Sequence, residues 1–237
     1  MLDELVKSIA LRAVGKGLHL PHAQVDRLAE LHFLRELLAQ LRIDCVLDVG
    51  ANRGQFAGEL RGIGYSGQIV SFEPVSTEFL ATQKNFEKDP KWIGFQFALG
   101  GKEESLSINV PKLSVLSSLL ESVVPEHDAR EELVQVRRLD GMLPELLKQL
   151  RCSRVFLKMD TQGFDLEVFR GAAGCMESIQ GMQSELSVRP IYKKMPHYLE
   201  ALAAYEAAGF DLYNLSVVNR VSNGGLLELN CFMRRPG

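Results

Sequence analysis

The sequence predicts a doubly wound α/β domain whose sheet is mostly parallel and ends in one antiparallel hairpin. Three features carry that reading. From residue 43 onward, short apolar runs bounded by turn residues alternate with stretches of helical period, as when helices cover both faces of a sheet. Cys45–Val49 is apolar at four of its five positions and ends at a glycine, which suits a parallel strand buried on both faces. Near the end of the chain, 211–217 and 226–233 read as two strands joined by Asn223, Gly224 and Gly225. A link that short forces them antiparallel.

Residues 1–42 read as a helical extension. Leu28, Leu31, Leu34, Leu37, Leu38 and Leu41 recur at helical spacing, and Pro21 separates this helix from an earlier one around 2–14. Residues 43–237 form the α/β domain. After Cys45–Val49 a helix is expected over 55–63, then the strand Gln68–Phe72, a helix over 76–87 and a third strand over 92–98. Residues 105–110 alternate like an exposed strand. Residues 111–130 show no period, and long irregular stretches often serve as functional loops. A short strand is expected over 133–139, after which Asp140 caps a helix running through 150. A core strand over 154–159, a helix near 165–169, a strand over 182–186 and a helix over 196–208 complete the pattern.

Composition narrows the function. Of 237 residues 46% are hydrophobic and 24% charged, which excludes a disordered chain, and the formal charge of −3 argues against nucleic acid as a partner. Cys45, Cys152, Cys175 and Cys231 have neither zinc nor redox spacing. Asp3 and Glu4 precede the first apolar stretch, the wrong order for a secretory signal, and no run approaches the roughly 18–20 residues of a membrane span. A cytoplasmic protein is expected. The composition is equally compatible with a monomer and a homodimer.

The most informative segment is Val46-Leu47-Asp48-Val49-Gly50-Ala51-Asn52-Arg53-Gly54. A strand ends in an acid, and two glycines then flank a tight turn into a helix whose first N–H groups are free for a ligand. The dinucleotide fingerprint would need glycine where Asn52 and Gln55 stand, so a nicotinamide-dependent oxidoreductase is the lesser alternative. The pattern suits a ligand without pyrophosphate, such as S-adenosylmethionine. Asp48 would face its cationic end, and backbone donors would meet its carboxylate. Glu73, ending the second strand, would accept both ribose hydroxyls. Ala98 and Leu99, ending the third, would line the adenine. Gly50, Asn52 and Gly54 complete this set, and Ser117 and Ser118 in the irregular stretch would touch the ligand.

With these residues in view, the sequence resembles the FkbM-type family of S-adenosylmethionine-dependent O-methyltransferases. Leu47–Gly54 with Phe72-Glu73-Pro74 carries the first part of the likeness. Ala98-Leu99-Gly100, Ser117-Ser118-Leu119 and Arg138-Leu139-Asp140 carry the second. Lys158-Met159-Asp160-Thr161-Gln162-Gly163-Phe164-Asp165, followed by Phe169-Arg170-Gly171-Ala172, is the most specific. Gln162 and Asp165 stand at its variable places. The resemblance covers about residues 44–190. It implies a Rossmann-like class I methyltransferase fold and a hydroxyl acceptor on a sugar or a polyketide-derived product.

The residues of the fourth strand point the same way. Lys and Asp are seldom buried without partners, and Lys158 and Asp160 share one strand face. Methyl transfer to an alcohol needs a group that orients the hydroxyl or takes its proton. Asp160 is the first choice, Lys158 its partner, and Gln162 shapes the same edge. Glu185, ending the next strand, would face the same cleft as a second carboxylate. Asp160 and Glu185 are also the pair that would hold a divalent metal, a reading the sequence does not favour because no compact ligand motif exists. His127 and His197 are read as solvated loop residues, and His19, His22 and His32 as exposed on the extension.

Overall fold

The computed structural model describes residues 22–111, 114, 117–123 and 130–236. The expected helix around 2–14, and with it His19 and His127, lies outside the described residues. The elements are α1 (His22–Gln40), β1 (Cys45–Val49), α2 (Gln55–Gly62), β2 (Gln68–Phe72), α3 (Ser76–Asn85), β3 (Trp92–Phe95), β4 (Ala98–Leu99), β5 (Glu104–Val110) and β6 (Arg130–Arg137). There follow α4 (Leu143–Leu150), β7 (Val155–Met159), α5 (Asp165–Gly171), a 3-10 turn (Ala173–Ser178), β8 (Ile179–Ser187), α6 (Tyr198–Ala207), β9 (Asp211–Arg220) and β10 (Leu226–Arg234).

The main sheet has seven strands in the order β3-β2-β1-β7-β8-β10-β9. The first five run parallel, and β10 pairs antiparallel with both β8 and β9. The order reverses between β1 and β7, and ligands of such sheets sit beyond the strand ends at that point. Strand alternation sorts the core. Cys45, Leu47 and Val49 face one layer with Leu143, Leu166, Val168 and Phe169 of α4 and α5. Val46, Ile69, Phe156 and Phe232 face the other, against Phe56 and Leu60 of α2 and Leu34, Leu37 and Leu38 of α1. The leucine stripe foreseen for the extension is therefore a packing face, although Leu28 lies exposed.

Three expectations are corrected. Residues 92–98 do not form one strand: β3 ends at Phe95, and Ala98–Leu99 pairs with β6 in a separate three-stranded sheet of order β4-β6-β5. That sheet has its own core of Val75, Ala98, Ile108, Val110, Val134 and Val136. β6 also begins at Arg130, inside the stretch read as irregular. Asp140 does not cap α4, whose N-cap is Met142. Its carboxylate instead takes Arg138 and the Gly174 amide.

Candidate active site

A cavity of about 410 Å³ opens at the carboxyl ends of β1, β2, β7 and β8, with α1 closing one side. The turn after β1 forms one wall. Gly50 takes φ +76°, and a Cβ there would lie 2.0 Å from the Asp160 carbonyl oxygen, so only glycine fits. Asn52 is also left-handed at φ 48°. Its backbone N–H donates to Glu73 Oε2 at 2.7 Å, and the Val75 N–H donates to Glu73 Oε1 at 2.9 Å. Two backbone donors fix this carboxylate, yet burial still pushes its pKa up to about 7. Each oxygen retains acceptor capacity, and Glu73 lines the cavity. Asn52 Nδ2 reaches Ser114 Oγ at 3.2 Å, tying the turn to the loop that covers it.

Asp48 is elsewhere. It is fully buried, faces the α2 side of the sheet, and is absent from the cavity wall. Register places it beside Lys158, whose Nζ donates to Asp48 Oδ1 at 3.0 Å. The same ammonium lies 3.4 Å from the Gly50 carbonyl oxygen and 3.5 Å from Asp160 Oδ2. Burial opposes its charge, but Asp48 and Asp160 outweigh it and hold Lys158 above the ordinary ammonium range. The sequence sets Asp48 toward the cofactor's cationic end, directly or through water; in the structure its near neighbour is a protein cation, Lys158.

At the opposite end of the cavity lie Asp160, Gln162 and Glu185. Gln162 adopts φ 52° ahead of Gly163 at φ 91°. Its Nε2 donates to Asp160 Oδ1 at 3.2 Å and to Glu185 Oε2 at 3.1 Å. Its Oε1 accepts from Tyr192 Oη at 2.9 Å, and its carbonyl oxygen accepts from Ser118 Oγ at 2.8 Å. Both amide hydrogens are therefore committed, and the side chain is held in one orientation. Burial first, then the nearby Asp160 and Glu228, raises the Glu185 pKa well above the usual carboxylate range. Behind this edge, buried Asp165 braces the turn: it accepts from the Thr161 N–H and hydroxyl, the Ser184 hydroxyl and the Glu185 N–H.

Of the residues named from sequence, Gly50, Asn52, Glu73, Ala98, Leu99, Ser117, Lys158, Asp160, Gln162 and Glu185 line one cavity. Gly54 and Ser118 do not. A Cβ on Gly54, at φ +81°, would meet the Phe86 ring at 2.6 Å, so this glycine serves helix packing. Ser118 is buried and acts through the Gln162 carbonyl. Sequence reasoning missed Glu30, Gln183 and Asn230, which also line the cavity. Tyr192, which with Arg189, Lys193 and Lys194 forms a basic-aromatic cluster that sequence alone allows either to bind a sugar or anionic carrier or to be a solvated face, is buried behind Gln162. Asn230 stands between the apolar Leu229 and Cys231 on β10, and that interruption was the available signal; Gln183, between Met182 and Ser184 on β8, gave no comparable one. His32 is exposed, as expected, and His197 caps α6 by accepting the Leu199 N–H at 3.3 Å. Among the described residues, no cluster of three or more His, Cys, Asp or Glu is arranged to hold a metal ion. No helix among them is long and apolar enough to cross a membrane.

Comparison with known structures finds the same fold at low sequence identity. An uncharacterized protein from Listeria monocytogenes serotype 4b superposes with a TM-score of 0.51 at 7% identity, over 87% of this chain and 67% of that one. Magnesium protoporphyrin IX methyltransferase from Synechocystis PCC 6803 with bound SAM gives 0.46 at 8% identity, over 92% and 86%. Aeropyrum pernix fibrillarin with natively bound S-adenosyl-L-methionine gives 0.46 at 11%, over 80% and 66%. No curated protein matches the sequence significantly. The decisive match is to a family: residues 48–212 fit the methyltransferase FkbM domain, and the chain belongs to that family of methyltransferases.

Proposed function

We propose that this methyltransferase uses S-adenosylmethionine and methylates a hydroxyl group of a sugar or related natural product. The observation that carries the reading is one continuous cavity with a hydroxyl-accepting carboxylate, Glu73, at one end and the Asp160–Glu185 pair at the other. The residues fit the donor. Glu73 keeps a lone pair on each oxygen for the vicinal ribose hydroxyls, and Ala98 and Leu99 give an apolar wall suited to adenine. Gly50, Asn52 and the first N–H groups of α2 suit the amino-acid portion. When bound, the donor supplies an electrophilic methyl group on a sulfonium.

The rest falls to this chain's side chains. The acceptor oxygen must approach to about 3 Å in line with the bond that breaks. Asp160, at the cavity edge, accepts the acceptor's hydroxyl hydrogen, orients the oxygen and receives its proton. Glu185, beside it at the end of β8, hydrogen-bonds a neighbouring hydroxyl. Lys158 does not meet the substrate; it fixes Asp160 from behind. Gln162 spaces the two carboxylates, and α1, within the 1–42 extension, closes the acceptor side. A polyketide hydroxyl is the second reading, favoured by the apolar Leu119, Phe164, Val217 and Val218 in the same wall.

Calorimetry with S-adenosylhomocysteine tests the donor assignment, and absence of binding by the native chain would sink it. For the acceptor end, Asp160→Asn should retain donor affinity and lose turnover by about 100-fold or more, the usual contribution of a positioned base. Undiminished turnover in that variant would remove Asp160 from the mechanism.

A further inference from the structure

Among the described residues, carboxylates without a cationic partner gather at the acceptor end of the cavity, Glu185 in its wall and Glu228 outside the lining. Arg27 is spent on Glu30 and Glu59, and Lys158 on Asp48 and Asp160. Glu185 and Glu228 have no cationic partner among the described residues. Glu185 takes only the neutral Gln162 amide, and Glu228 only the neutral Asn219 amide at 2.6 Å. Glu228 is buried and Glu185 half-buried, and their charges add to that of Asp160. A protein seldom buries like charges together without something to neutralise them.

A second observation is independent of charge. Gln183 lies on the same face of β8 as Glu185 and lines the same cavity, 96% buried by its 4% exposure. Among the described residues its Oε1 has no hydrogen-bonding partner and is fully enclosed. A half-turn of the amide presents either end to a ligand. An unsatisfied buried amide destabilises the fold unless a ligand engages it.

We propose that the acceptor carries a protonated amine beside the hydroxyl that is methylated, as in an amino sugar, and that Asp160, Glu185 and the Gln183 amide oxygen receive its three N–H donors. The proposal rests on reading this end of the cavity as the acceptor site. The Gln162 amide sets the spacing, since one nitrogen within 3.2 Å of both carboxylates keeps their nearest oxygens within about 6 Å of each other, close enough for one ammonium to reach both. The arrangement also explains selectivity. A protonated amine has no lone pair to attack a methyl group, so carboxylates that keep it protonated direct transfer to the neighbouring hydroxyl. A hydrated magnesium ion is the competing cation, disfavoured because the described residues form no cluster of three metal-ligating side chains.

The test is binding of D-glucosamine, D-galactosamine and 3-amino-3-deoxy-D-glucose by calorimetry. D-Glucose, D-galactose and N-acetyl-D-glucosamine serve as uncharged controls, all with and without S-adenosylhomocysteine. At least one amine should bind about tenfold or more tighter than its uncharged controls, in line with a charge-assisted hydrogen bond in place of a neutral one. Glu185→Gln should erase that preference while S-adenosylhomocysteine affinity is unchanged. The proposal is overturned if no amine binds, if glucose binds as well as glucosamine, if the preference survives Glu185→Gln, or if magnesium chloride displaces the amine competitively. The S-adenosylhomocysteine titration separates the two readings: its failure removes the donor assignment, whereas loss of amine preference alone removes only this one.

Discussion

Glu73→Gln exposes the energetics of the donor end. The buried carboxyl titrates near 7 against an ordinary 4.5. At about 1.36 kcal/mol per pH step, the gap is worth about 3 kcal/mol. Because the pKa is raised, the folded chain keeps a proton that the unfolded chain has released. The stabilisation is therefore complete below about pH 4.5 and drains away as pH rises through 7. Between roughly pH 5 and 8 the carboxyl alone should cost the native protein about 2.5 kcal/mol, and the glutamine nothing. Glutamine carries a fixed penalty of its own. It offers one oxygen to the two N–H donors of Asn52 and Val75, leaving one amide unpaired at about 1–3 kcal/mol. That penalty is independent of pH, so the change in the wild-type-to-variant difference isolates the carboxyl. Urea unfolding at the two pH values measures it. Parallel stability curves for the two proteins would refute the reasoning. In the same pair, wild-type affinity for S-adenosylhomocysteine should climb as pH passes 7, while the variant stays weak and flat.

Two further substitutions probe the frame around the cavity. Lys158→Met leaves Asp48 buried without a cation and should cost about 3–5 kcal/mol in urea unfolding, with Asp48→Asn recovering part of it in the double variant; a loss below about 1 kcal/mol would contradict the burial of that pair. Gly50→Ala combines a left-handed backbone with a Cβ 2.0 Å from the Asp160 carbonyl oxygen, so it should destabilise by about 2 kcal/mol or more and abolish S-adenosylhomocysteine binding. A stable alanine variant with intact binding would show that the turn is looser than its geometry implies.

The central strands were legible because their chemistry is local. Cys45–Val49 and Val155–Met159 are buried along their whole length, and the turn at Gly50 announces itself by residue type. The second sheet was not legible, because its link is a two-residue strand: Ala98–Leu99 looks like the end of β3 until β6 is found beside it. Asp48 shows a different limit. A strand-end acid has the same sequence whether it faces a ligand or a lysine, and only the pairing Asp48↔Lys158, between residues 110 positions apart, decides. Glu30 on α1 shows the same limit: nothing in its local sequence marks it as buried, yet it accepts from Asn230 Nδ2 at 3.1 Å and from the Ser216 hydroxyl.

The pair hidden behind the turn is expensive for what it contributes to stability, since two apolar residues of similar volume often serve as well or better. What the ammonium supplies is a common reference point. Lys158 Nζ contacts the last turn of β1 through Asp48, the glycine turn through the Gly50 carbonyl, and the edge of β7 through Asp160. Under the proposed mechanism those elements hold donor and acceptor in line, and a misplacement of about 1 Å can cost 100-fold in rate. An apolar replacement could fill the space but would leave the Asp160 side chain freer to turn away, because among the described residues its other side-chain hydrogen bond is the 3.2 Å one from Gln162. In that proposed mechanism Asp48 serves the reaction at second hand: it holds the lysine that holds the carboxylate.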